Sequence, residues 1–173
     1  MNPTTKNFYE SHYACPEGTS FALKHKTMAE VWAACPRADW LIWMLKKTGQ
    51  EPDSKTSRLF ACWCVRETPL SDGRKVWDLL TDERSRNAVV VAELFANGEA
   101  TNAERFAAAE GAWDAAEDFA VGSAASSAAW SAAWSAAWSA VESAVESARS
   151  AKSRAQAFQA THFRTLFKNP FQN

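Results

Sequence analysis

Between residues 27 and 119, apolar positions recur at three- and four-residue spacings and are separated by short polar breaks. This pattern predicts a series of short amphipathic helices. Thr27 and Glu30 have the spacing of a capping box and open a helix from Met28 to Cys35, which Pro36 ends. A second helix runs from Ala38 to Thr48 and turns Trp40, Leu41, Trp43, Met44 and Leu45 toward a core. Lys46 and Lys47 occupy its last turn, and Gly49 is its stop. Asp53 caps a third helix through Leu59, Phe60, Trp63 and Arg66, which ends before Pro69. Val76, Trp77, Leu79 and Leu80 form a short amphipathic segment. Thr81 caps a helix to Ala96 that carries Asp82 and Glu83 at its positive end and closes at Asn97-Gly98. Thr101 and Glu104, a second capping box, open a helix through Phe119. Residues 1–26 show neither period and read as an irregular arm with local packing from Phe8, Tyr9, Tyr13 and Phe21. Residues 27–173 read as a single helical domain. The expected fold class is all-α: about six shorter helices packed on a long Ala/Trp-rich C-terminal helix.

That long helix is predicted from a repeat. From Ser127 the chain reads SAAW three times, then SAVE twice, then SARS. Each four-residue step drifts about 40° around a helix axis. With Trp130 as zero, Trp134 and Trp138 fall near 40° and 80°. The fourth position would next drift away from the stripe, and there the sequence changes to Glu142 and Glu146, while Val141 and Val145 return to it. One apolar face therefore persists and continues through Ala148, Phe163 and Leu166, as a helix with one buried side requires. Trp130, Trp134 and Trp138 read first as a core seam. The alternative is an aromatic platform that stacks bases or another planar ligand. A membrane helix is rejected: the uncharged stretch from Phe119 to Val141 holds no Leu or Ile, is rich in Ser and Ala, and contains Gly122.

Charge is balanced overall and uneven in place. The chain of 173 residues has 19 Lys+Arg against 20 Asp+Glu, a net charge of −1. This excludes a globally basic nucleic-acid binder and a globally acidic mimic of one. Residues 1–98 sum to +1, residues 99–146 to −7 and residues 147–173 to +5. Glu110, Asp114, Glu117 and Asp118 fall within about 100° of one another on the helix that follows Thr101. They read as a solvated face or a docking place for basic groups. A carboxylate metal site is disfavoured because the Glu-x-x-His pattern is missing. The basic end, with Arg149 and Arg154, either complements the helix dipole or meets an acidic or phosphate-bearing partner.

Cys15, Cys35, Cys62 and Cys64 read as free, buried or half-buried thiols. Cys62 and Cys64 diverge by about 200° on a helix and do not share a metal. No basic stretch followed by an apolar one opens the chain, so a cytoplasmic location is expected. The sequence holds no Gly-rich phosphate loop, no GxSxG and no HExxH. His12, His25 and His162 lie far apart without an evident nucleophile. No catalytic residue, metal or other cofactor is expected.

The run SRLFACWCVRETPLSDGRKVWDLLTDERSRNAVVVAELFANGEAT, residues 57–101, resembles a widespread group of uncharacterised bacterial and phage proteins. They share an LRLFACAC-like helix, a VWxLLTDERSRxAVEVAE-like helix, an Ala/Trp-rich region and a terminal FxNPF motif. Here the terminal motif is QATHFRTLFKNPF, Gln159 to Phe171, and CPRADWLIWMLKKTG matches the group's Asp-Trp-Leu helix. More loosely, the chain is similar to immunity proteins of bacterial polymorphic-toxin systems. The first resemblance implies a helical fold and no known activity. The second implies neutralising a toxin by binding it. In Asp82, Glu83, Arg84 and Arg86 we read helix-start chemistry, with Asp82 and Arg86 as an i,i+4 pair.

The leading expectation is a non-enzymatic binding protein that inhibits by occlusion, an immunity-type or phage counter-defence factor whose partner is a toxin or defence component. Its expected surface is Glu110, Asp114, Glu117, Asp118, Arg149 and Arg154. The alternatives are a sponge for a small nucleotide signal, with Trp130, Trp134 and Trp138 stacking, and a structural protein that assembles into homo-oligomers. No membrane association is expected.

Overall fold

The computed structural model describes residues 3–70, 72–119 and 149–172; side chains at 3–4, 116–119 and 149–151 are outside the description. The helices are α1 (Pro3–Ser11), α2 (Pro16–Ala22), α3 (Met28–Ala34), α4 (Ala38–Lys47), α5 (Ser54–Glu67), α6 (Glu83–Asn97), α7 (Asn102–Phe119) and α8 (Arg149–Leu166). A 3-10 turn covers Val76–Leu79. Among the described residues there is no strand, only an isolated antiparallel bridge between Pro69 and Lys75. The fold is an all-α helical bundle. The Trp repeat and most of the expected long helix lie outside the described residues.

Local chemistry explains most helix starts. Asp53 accepts from the Thr56 backbone N–H at 2.9 Å and from its hydroxyl at 2.7 Å. Thr101 and Glu104 bond reciprocally: the Glu104 N–H reaches Thr101 Oγ1 at 3.2 Å and the Thr101 N–H reaches Glu104 Oε2 at 2.7 Å. At Thr27 the box is shifted by one residue, because Glu30 accepts from the Lys26 N–H instead of that of Thr27. The cap of α6 is Asp82, one residue later than the expected Thr81. Asp82 pairs with Arg84 at 2.9 Å and not with Arg86, which donates to the Leu80 carbonyl and lies 3.6 Å from Glu83. Gly98 ends α6 at φ +80°, a left-handed conformation that glycine adopts without a Cβ clash.

The helices gather into two compact units, Met1–Glu51 with Ala160–Asn173, and Pro52–Gln159. The expected boundary after residue 26 is therefore not where the chain divides. Nor is the N-terminal segment irregular. Pro16 stands at the first position of α2, where its missing N–H costs nothing, and the Cys15 sulfur caps that helix by accepting from the Gly18 N–H. Thr5, Tyr9, Gly18 and Ala22 are buried, and Phe8 packs edge-on against Trp43. Tyr13, expected to pack, is 94% exposed with φ +53°.

In the first unit, Val31, Trp32, Leu41, Met44, Leu45 and Phe163 form the interior. The C-terminal motif closes it. Arg164 donates to the Cys35 carbonyl at 2.7 Å and satisfies the end of α3. Asn169 donates to the Ala29 carbonyl at 3.3 Å and accepts from the Phe171 N–H, while Phe171 lies edge-on to Phe8. Leu166, expected on the apolar stripe, is 42% exposed; Phe163 is buried as expected.

In the second unit, Ala61, Cys62 and Val65 of α5 meet Val76, Leu80, Val89 and Ala92. Arg66 binds Glu93 with two bonds of 2.6 and 2.7 Å and lies 4.2 Å over the Trp77 ring. The part of α8 in this unit stacks Phe158 on Trp63, with ring centres 5.1 Å apart, and Gln159 donates to the buried Thr68 hydroxyl at 3.0 Å.

Candidate functional site

The inward face of α7 is made of small residues. Ala108, Ala109 and Ala112 are buried against Ala88, with Val91 packed alongside, and Ala115 is also buried. Small side chains let two helix backbones approach closely and leave no large group for the core. The two large aromatic groups of α7 whose side chains are described, Phe106 and Trp113, are accordingly exposed. Phe106 is 55% exposed and Trp113 46%, both off the arc that the buried alanines occupy. Glu110 and Asp114 are exposed beside them, and among the described residues neither makes an ion pair. Phe106, Glu110, Trp113 and Asp114 lie within about 100° around the helix axis. The result is one aromatic and acidic face on a helix whose other side is fixed.

An open groove of about 380 Å³ runs beside this face, between α6 and α7. Asn87, Val91 and Leu94 line it from α6, and Glu99, Glu104 and Ala107 from the chain entering α7. Ala107 is within about 60° of both Glu110 and Asp114 around the axis, so the groove and the acidic row share a side. Hydrogen bonds from the Thr101 backbone and hydroxyl hold the Glu104 carboxyl below the usual range, so this rim stays negative in mild acid.

Of the expected partner-binding residues, Glu110 and Asp114 come together one turn apart. Glu117 and Asp118 continue α7, and Arg149 begins α8, with side chains outside the description. Arg154 is exposed on α8, and among the described residues no hydrogen bond or ion pair joins it to α7. Trp130, Trp134 and Trp138, expected as a seam or stacking platform, lie outside the described residues. Sequence reasoning found the acids and missed the aromatics. The signal was present in the spacing of Phe106, Glu110, Trp113 and Asp114, but an aromatic on a helix is ordinarily assigned to the core.

The cysteines are inert apart from Cys15, which is exposed and so departs from the expected burial. Burial pushes the Cys35 thiol up to about 11 and the Cys62 thiol up to about 12, and Cys64 rises as well. Among the described residues no three His, Cys, Asp or Glu side chains are grouped to hold a metal ion, and no helix is long and apolar enough to cross a membrane. Comparison with family models, with curated proteins and with solved structures finds no match.

Proposed function

We propose that this chain is a non-enzymatic binding protein that neutralises a protein partner by covering its working surface. It would be an immunity-type or phage counter-defence factor acting in the cytoplasm. The observation that carries this reading is the outward face of α7, where Phe106 and Trp113 stand exposed beside Glu110 and Asp114, neither of which makes an ion pair among the described residues. Exposed aromatics on a rigid helix supply contact area at small entropic cost, and flanking charges set the partner's sign. The partner is a protein with a basic surface around an apolar recess. Its class follows from the resemblance to polymorphic-toxin immunity proteins, and its charge from the −7 segment that contains α7.

The test uses two immobilised baits, the wild-type chain and Glu110→Lys/Asp114→Lys, with matched melting curves. A basic protein held by the first and lost by the second, and whose activity the wild-type chain suppresses, supports the reading. If the two baits hold and inhibit the same proteins equally, α7 is not the binding face.

A further inference from the structure

Arg58 of α5 and Arg105 of α7 converge on one ring. The Arg58 guanidinium lies 4.7 Å from the Phe95 ring centre and that of Arg105 lies 5.2 Å from it. The two charges therefore stand within about 10 Å of one another, on the order of a screening length at about 0.1 M salt. Neither arginine has a carboxylate partner among the described residues. Arg105 is fixed instead by the neutral Asn102 side chain, which accepts from its Nε and Nη2 at 3.2 and 2.9 Å, and by the Phe106 ring at 4.3 Å. Arg58 gives Nη1 to the Ser54 carbonyl at 3.3 Å, and its buried Nε has no hydrogen-bond partner. Burial and then the charge of Arg105 make Arg58 easier to deprotonate, and no carboxylate is among the groups acting on it. Arg37, Arg66, Arg74, Arg84 and Arg86, by contrast, each have an acid beside them.

We propose that Arg58 and Arg105, both held against Phe95, form an anion site for the phosphoryl group of a small phosphorylated molecule. Two held guanidiniums with Nη donors left over from these bonds match a group with several acceptor oxygens. A phosphate monoester carries close to two charges at neutral pH, and a terminal diphosphate more, so either balances both arginines, where a single carboxylate leaves one uncompensated. The exposed Phe106 ring beside Arg105 gives the organic part of such a molecule an apolar surface. This site shares Phe106 with the face proposed above, but its arginines are not part of that face, and the glutamine variants leave Glu110 and Asp114 intact.

The probe is sodium pyrophosphate, titrated into the full-length chain at constant ionic strength while the melting temperature is followed. The wild-type chain is expected to show a saturable rise. Arg58→Gln and Arg105→Gln, each compared with its own ligand-free melting temperature, are expected to bind roughly tenfold or more weakly, the loss of a charge-assisted bond. Lys6→Gln, on α1, is expected to behave as wild type. Should Arg58→Gln fail to fold, Arg105→Gln carries the test alone. No rise in the wild-type chain, or the same rise in the glutamine variants, overturns the proposal and leaves the arginines as covers for Phe95.

Discussion

Asp53, Asp82 and Glu104 each hold the first turn of a helix through bonds that only the ionised carboxylate makes fully. For Asp53 the Thr56 hydroxyl is the main cause of its lowered pKa, for Asp82 the Arg84 side chain, and for Glu104 the Thr101 N–H. A carboxylate with a lowered folded-state pKa contributes stability that is complete above its unfolded value and is lost as pH falls through the folded one. The melting temperature is therefore expected to be flat near neutrality and to decline from about pH 5 downward. Asp53→Asn, which keeps a capping oxygen without an ionisable group, is expected to lose part of that decline. Thermal melts of both proteins across pH check this; an unchanged slope in the variant contradicts it. The thiols give a second prediction. Iodoacetamide at mildly alkaline pH is expected to label Cys15 alone in the native protein, and all four cysteines after denaturation, as read by mass. These caps were legible in sequence because they are local. The identity of the α6 cap was not, since Thr81 and Asp82 are both good caps and only the entry angle of the chain, set by Leu80 in the core, decides between them.

Within a single element, α7 buries its alanines on one side and exposes Phe106, Glu110 and Asp114, the proposed binding face, on another. Ala112 has no exposure, and Ala112→Leu is expected to cost roughly 1–3 kcal/mol by forcing α6 and α7 apart. Phe106→Ala, on the outer face, is expected to stay within about 0.5 kcal/mol of wild type. Denaturant titration of the two variants checks the difference, and a large loss in Phe106→Ala would show that ring to be part of the core. The helices from Met28 to Phe119 were readable from period and caps. α1 and α2 escaped that reading because α2 is short, is capped by a cysteine, and carries Gly18 where the Trp40 ring packs 3.7 Å from the place of a Cβ. Pro16 at the first helical position was the overlooked signal.

At the scale of the molecule, the terminal FKNPF segment acts as a clip on the first unit. Asn169 ties to α3, and Phe171 ties to α1. Asn169→Ala is expected to lower stability by about 1 kcal/mol, the value of a partly buried hydrogen bond, and a melting curve identical to wild type would assign the segment no such role. The terminal motif, one of several on which the resemblance rests, thus has a packing role, and the sequence alone had no means to separate that from binding. The division into two units was equally hidden, because it joins residues before position 52 to residues after position 159, and helical period reports nothing about such distant pairing. The acidic, aromatic face of α7 is put to the test by the association rate with the captured basic partner as ionic strength is raised. The rate is expected to fall steeply with salt for the wild-type chain, and Glu110→Lys/Asp114→Lys is expected to associate far more slowly with little salt dependence. A rate that ignores salt and is unchanged by the double reversal would contradict binding through that face.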